Sequence, residues 1–310
     1  MEEQQDEPMK RTRISDKIEY VEPDTMRNFT ACAGIIVSSS PKILIDTNMG
    51  IRETKELLMA ERPDIAIITH YHLDHSTWGP LVLEYSDAEL FIPEGEQNYL
   101  DSLDYFIEKT AAPYGLALEW RNFAKDVTHY EEIINYSTYL SSTRFKTDRV
   151  TIECIKTSGH SPSHTSFYFP EENILFTGDM GVDRFGPWYG WIDCNLRELI
   201  DSILVLKSLK ADILLTSHGG IITSDIEQVW NRALGLIFER ERFIRDGLDR
   251  GRTKQEIVEQ GIYFKNKSRV QEPVRSFLYM WDSIMFDHHR AILEDYSLEK
   301  LFRGLHEIYR

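Results

Sequence analysis

Cysteine is scarce in this chain: Cys32, Cys154 and Cys194 stand far apart among 310 residues. An odd, widely spaced set does not make a disulfide framework. The expected state is reduced and mostly buried, with two of the three in strands, and the expected compartment is the cytoplasm. Long apolar runs are also missing. No stretch reaches membrane-spanning length, so no membrane partner is expected. The first thirteen residues are acidic, then basic, without the apolar core of a signal peptide, and residues 1–16 read as a disordered tail. Positive charge is in deficit, with 35 Lys and Arg against 51 Asp and Glu and a net charge of -16. That balance repels a phosphate backbone, and no dense basic patch offsets it, so no nucleic-acid partner is expected. G-x-S-x-G is absent, which removes the strand-to-helix serine nucleophile.

What the chain has is an α/β rhythm. Gly34-Ile35-Ile36-Val37 and Ile43-Leu44-Ile45 read as strands around the turn Ser38-Ser39-Ser40-Pro41. A helix is expected over 52–61, stopping before Pro63, then a strand over 65–68, a helix over 78–85 and a strand over 89–92. Residues 95–148 break the pattern with one helix over 97–110 and then an aromatic, irregular stretch. This segment reads either as an insertion beside a site or as a surface excursion. The rhythm resumes with a strand over 150–155, a hairpin of 166–169 with 174–176, a helix over 196–209 and a strand over 213–215. Beyond residue 225 strands vanish. Trp230, Leu234, Ile237 and Phe238 mark one apolar helix face, and Val274, Phe277, Leu278 and Trp281 mark another. Thr253-Lys254-Gln255-Glu256 reads as a capping box. The expected organisation is a tail over 1–16, an α/β domain over 17–225 and a helical C-terminal domain over 226–310.

The centre of the chain is Thr69-His70-Tyr71-His72-Leu73-Asp74-His75, directly after the β-branched run Ile65-Ala66-Ile67-Ile68. Four potential metal ligands thus lie where a buried strand leaves its sheet, the edge at which open α/β sheets place ligands. H-x-H-x-D-H is not the i, i+4 pair of a helical zinc site. It suits a tight loop whose first two histidines face one ion while the aspartate and third histidine turn to a second. Imidazole and carboxylate together suit zinc, iron or manganese. Other ligand-type residues also follow strands: His160 and His164 in Gly159-His160-Ser161-Pro162-Ser163-His164, Asp179 in Thr177-Gly178-Asp179, and His218 in Ser217-His218-Gly219-Gly220. The stretch 183–191, rich in aromatics, could wall a pocket for an acyl chain or ring, with Arg184 meeting an anionic group. The alternative for it is a loop docked on the helical unit.

Taken together, THYHLDH, GHSPSH, TGD and SHGG resemble the metallo-β-lactamase superfamily over residues 17–222. The resemblance implies an αββα sandwich with its metals at one edge, carrying a helical C-terminal unit. Carried over by motif, His70, His72 and His160 would hold one ion, and Asp74, His75 and His218 a second, with Asp179 bridging them. Asp46 would steady the ligand loop, His164 would support rather than ligate, and Gly178 would let the chain bend so that Asp179 reaches both ions. The implied cofactors are two divalent transition metal ions, zinc foremost, with iron or manganese as alternatives. The implied reaction is hydrolysis of a small ester, thioester or lactone by a hydroxide shared between the ions, with Asp74 and Asp179 as the catalytic carboxylates. Having both carboxylates, the chain is similar to the glyoxalase II and lactonase branches. Its layout is also similar to the quorum-sensing response protein PqsE, which implies a metal-binding regulator that acts through a partner. Mononuclear iron persulfide dioxygenases share part of the motif set. The expected partner is a small acyl substrate, and a homo-oligomer is left open. His129, His288, His289 and His306 have no motif context and read as solvated or packing residues.

Overall fold

Side chains along a strand alternate between its faces, and that period of two assigns each apolar residue to a layer. The computed structural model describes residues 9–23, 30–294, 300 and 302. Its first sheet holds β1 (Lys10–Arg13), β2 (Ile18–Glu22), β3 (Gly34–Val37), β4 (Ile43–Ile45), β5 (Ile65–Ile67), β6 (Glu89–Pro93) and β7 (Ser137–Tyr139), in that spatial order. The second holds β8 (Arg144–Lys146), β9 (Thr151–Lys156), β10 (Thr165–Phe169), β11 (Ile174–Phe176), β12 (Ile213–Leu215) and β13 (Ile221–Ile222), also adjacent in order. Pairing is parallel from β4 to β7 and between β11 and β12, and antiparallel elsewhere.

Ile35, Val37, Ile43, Ile45 and Ile67 point from the first sheet into one core with Phe167, Phe169, Ile174, Phe176 and Leu215 of the second. Their neighbours Ile36, Leu44 and Ala66, and Leu175 and Leu214, face outward into a second core shared with helices. That alternation makes the sandwich. Each fully buried Ile or Phe contributes about 1.5–3 kcal/mol. The helices of the first half are α1 (Ile51–Glu61), α2 (Leu73–Ser76), α3 (Gly79–Tyr85), α4 (Gln97–Asp101), α5 (Leu103–Lys109) and α6 (Ala117–Asn122). Those of the second are α7 (Leu196–Ser208), α8 (Ile226–Asp249), α9 (Lys254–Gln260) and α10 (Val274–Glu294). The capping box of α9 forms as expected, with Thr253 and Glu256 bonding reciprocally.

Four expectations need correction. Lys10–Arg13 was expected in the tail but forms β1, paired with β2 and held by ion pairs from Lys10 to Glu22 and from Arg11 to Glu19 and Glu61. Backbone pairing and cross-strand charge make this strand, and charges suit a sheet edge. Residues 1–8 lie outside the described residues, as does His306. The helix expected over 97–110 is two helices, because Ser102 is extended and its side chain accepts the Tyr105 N–H, capping α5. The stretch after it is not irregular throughout. It supplies α6, β7 and β8, and Trp120 of α6 packs edge-on to Phe277 of α10 with centroids 4.9 Å apart.

All three cysteines are free and buried, but only Cys154 lies in a strand.

Candidate metal centre

The parallel pairs β4–β5 and β11–β12 end in step, with Ile45 opposite Ile67 and Phe176 opposite Leu215. Their following loops therefore emerge together at one edge of the sandwich. The loop after β5 carries Thr69 to His72, the short helix α2 that follows carries Asp74 and His75 where a continuous loop was expected, and the loops after β9, β11 and β12 carry His160, Asp179 and His218. Two backbone bonds stitch the halves there, Ala33 N–H to Ser217 O at 2.9 Å and Thr165 N–H to Thr69 O at 3.2 Å.

The seven expected site residues gather into two adjoining groups. In the first, His70 Nε2, His72 Nδ1 and His160 Nε2 stand 2.9–3.2 Å apart. In the second, His218 Nε2 is 3.0 Å from Asp74 Oδ2 and 3.4 Å from Asp179 Oδ1, and His75 Nε2 is 3.2 Å from that same Asp179 oxygen. Asp179 faces both groups, because its Oδ2 lies 3.5 Å from His160 Nε2.

Outer contacts fix which ring nitrogens face inward. Asp46 accepts the Thr69 N–H and hydroxyl on Oδ1, and its Oδ2 lies 2.9 Å from His75 Nδ1, leaving His75 Nε2 for the site. His160 donates Nδ1–H to the Trp188 carbonyl at 2.9 Å. His164 stays out of both groups. Its Nε2 accepts the Asp179 N–H at 3.0 Å, while its Nδ1 bonds Thr157 Oγ1 at 2.7 Å. Gly178 has φ +58, and a Cβ there would lie 2.5 Å from His164 Nε2. Glycine at this position allows both the bend and the histidine behind it.

Burial, then the neighbouring imidazoles, pushes His70 and His72 well below the ordinary histidine value, and burial lowers His160 too. Neutral rings with inward lone pairs are the form that binds metal. Burial alone would lower His218, but Asp179 and Asp74 outweigh it and push it up to about 10. Burial alone would raise Asp179, but His218 and His75 hold it well below the usual carboxylate range.

These residues fit divalent ions. Ligand atoms about 2.0–2.2 Å from a tetrahedral ion stand roughly 3.3–3.6 Å from one another, close to the spacing of both groups. His75 Nε2 and Asp179 Oδ1 are buried and face the second group, and although they lie 3.2 Å apart neither makes a hydrogen bond of good geometry. A buried polar atom left this way calls for a partner.

Residues 31–218 match the family model of the metallo-β-lactamase superfamily. The chain belongs to the metallo-β-lactamase superfamily. Its match to the superfamily closes on His218, the last residue of the site. The "Lactamase-like protein aptB" of Emericella nidulans is 25% identical over 61% of this chain, and the match spans 50% of that protein's own length. The "Probable metallo-hydrolase YybB" of Bacillus subtilis is 24% identical over 54% of this chain and 69% of its own. Among solved structures, a β-lactamase domain protein from Burkholderia ambifaria superposes with a TM-score of 0.72 at 14% identity, covering 91% of this chain and 90% of that one. At that identity the likeness shows the fold: a superfamily sandwich with a helical C-terminal region.

Sequence reasoning missed several supports. Thr69 lies inside the main motif yet was given no role, and its hydroxyl touches Asp46, His70 and His75. Glu96 is fully buried and accepts from Tyr71 N–H, Ser161 Oγ and Ser163 N–H, tying the loop of His70 and His72 to that of His160. Burial pushes its carboxyl up to about 7. Its signal was an acidic residue just past β6, at the same edge. The Trp188 carbonyl had no signal, since a backbone acceptor leaves none in residue identity. His288 and His289, expected to be solvated or packing residues, are half-buried and buried respectively, and each makes specific hydrogen bonds.

A cavity of about 1030 Å³ opens beside the two groups. Trp188 and Trp191 of the stretch 183–191 wall it together with Trp120, Phe277 and Trp281. The Trp188 ring lies 5.6 Å from both His72 and His160, so the aromatic wall begins at the site itself.

Proposed function

We propose that this chain is a metal-dependent hydrolase of small esters, thioesters or lactones, using two divalent transition metal ions. The observation that carries the reading is the placement of Asp179, with one carboxylate oxygen toward each group. His70, His72 and His160 would hold the first ion, and Asp74, His75 and His218 the second, with Asp179 spanning them. Such a pair supplies Lewis acidity and a water acidic enough to attack near neutral pH. Asp74 and Asp179 supply the carboxylates of the second site, and Asp46 and His164 hold His75 and the Asp179 backbone in place. The aromatic wall favours an apolar or ring-bearing acyl group, and Arg184 at the cavity rim is placed for an anionic one. Under this reading the sandwich from β1 to residue 225 forms the catalytic domain, and the helical domain from 226 completes the acyl pocket. The completeness of the second group favours two ions over the single iron of a persulfide dioxygenase. The helical C-terminal region keeps a PqsE-like regulator as the second reading.

The test is elemental analysis of purified protein, then parallel assays of thioesters, lactones, phosphodiesters and a β-lactam on metal-replete samples. Two ions per chain with acyl hydrolysis is expected. Phosphodiester cleavage without acyl hydrolysis would overturn the substrate class. One ion at full occupancy would overturn the dinuclear reading, and no turnover at all would favour the regulator.

A further inference from the structure

The stretch 183–191 folds back between the sandwich and the helical region as a strap, and its anchors come from two directions. Before Trp188, Arg240 of α8 donates to the Phe185 carbonyl at 2.8 Å and to the Pro187 carbonyl. The Arg240 guanidinium also stacks 4.5 Å from the Tyr263 ring centroid, and the Tyr263 hydroxyl donates to the Gly186 carbonyl at 3.4 Å. Strap and helix meet closely here: a Cβ on Gly186 would lie 2.4 Å from Leu236 Cδ1. After Trp188, His288 of α10 donates Nε2–H to the Trp191 carbonyl at 2.8 Å. Next to it, Glu241 accepts His289 Nδ1–H at 2.7 Å, which leaves His289 Nε2 to accept the Tyr189 hydroxyl at 2.8 Å. Tyr189 and His289 are both wholly buried. Between these two sets of anchors, the Trp188 carbonyl turns the other way and accepts from His160 Nδ1 at 2.9 Å.

We infer that α8 and α10 set the geometry of the tri-histidine group through this strap, with Arg240, Tyr189 and His289 as positioning residues for His160. The reasoning rests on the proposed role of His160 as a metal ligand. A ligating imidazole presents one nitrogen usefully only while the other is held, and removing such outer partners lowers metal affinity by about 10–100-fold. Here the outer partner is a backbone carbonyl, so no single side chain carries its position. Its place is set by the chain on either side, and both sides are pinned from the helical region. A region outside the family match would thereby tune a site made inside it.

The experiment measures zinc retention against a graded chelator on the full chain. It compares the wild type with Tyr189→Phe, His289→Gln and Arg240→Lys, with Lys254→Met as a control. Lys254 lies in the same helical region and pairs with exposed Asp287, so its removal alters charge beside His288 without removing any hydrogen bond to the strap. The expected result is a roughly 10–100-fold loss of affinity at one of two zinc sites in the strap variants, the other site unchanged, and the control equal to wild type. Nitrogen-15 shifts of His160 should show a loosened tautomer preference in the same variants. Unchanged affinity in folded Tyr189→Phe and His289→Gln would overturn the inference, even if Arg240→Lys fails to fold. Equal weakening of both sites with a lowered melting temperature would overturn it too, because that is plain destabilisation. A wild type that binds no zinc would overturn the ligand reading beneath it, and this inference with it. Hydrolysis is not measured, so an absent acyl substrate leaves this outcome unaffected.

Discussion

Asp46 Oδ2 stands 2.9 Å from His75 Nδ1, and both side chains are fully buried. Neither atom meets solvent, so the contact holds the ring without competition from water. Asp46→Asn should keep the fold by circular dichroism while lowering metal affinity about 10–100-fold by chelator competition, since an amide can donate into Nδ1 and reverse the tautomer. Unaltered affinity in the folded variant would count against Asp46 as the support of His75.

His218 gives the metal-free protein a pH dependence whose sign can be worked out. Its folded value is pushed up to about 10 from an ordinary 6.5. The stabilisation is therefore fully present below 6.5 and is lost as pH rises through about 10. His75, also raised, acts in the same direction. Chelator-treated protein should melt at progressively lower temperature across that window, and a flat profile would contradict the pairing of His218 with Asp74 and Asp179.

Gly178→Ala probes the turn before Asp179. The positive φ alone costs about 1–3 kcal/mol for an L side chain. The added methyl also meets His164 Nε2, which accepts the Asp179 N–H. Denaturant unfolding should show at least that loss, together with reduced metal content at a fixed zinc supply. A stable variant with full metal content would show that the loop can relax without moving Asp179.

How much of this was legible in the sequence depends on what each feature is made of. Individual strands were visible because runs such as Ile43-Leu44-Ile45 are apolar and bounded by turns, while the sandwich they build was implied only by the resemblance that the metal motifs carry. The site was visible because its residues are chemically distinctive and each follows a strand. β1 was not, because Lys10-Arg11-Thr12-Arg13 has no apolar alternation and owes its place to pairing with β2. The split at Ser102 turned on one side-chain bond. Glu96 and the Trp188 carbonyl were missed because their partners lie far along the chain, joined only after folding.

The same holds for Lys267 and Asp282, an ion pair almost wholly buried in the helical region. Asp282 also accepts the N–H groups of Ile262 and Tyr263, fixing the loop that brings Tyr263 and Phe264 to the cavity. Lys267→Met should cost about 3–5 kcal/mol in urea unfolding, because it strands a buried carboxylate. A change below about 1 kcal/mol would mean that the N–H donors alone satisfy Asp282.

The stitching of the two sheets at one edge also has a consequence for synthesis. The first half of the chain carries His70 and His72, and their group lacks its third nitrogen until His160 has been made. The second group waits longer, for Asp179 and then His218, which the ribosome delivers 144 residues behind Asp74. A nascent chain can therefore build most of its first sheet with neither group closed. Under the two-ion proposal, ions that arrive early would meet partial sets and those that arrive after residue 218 complete ones, in which each bound ion would tie an early stretch of the chain to a late one.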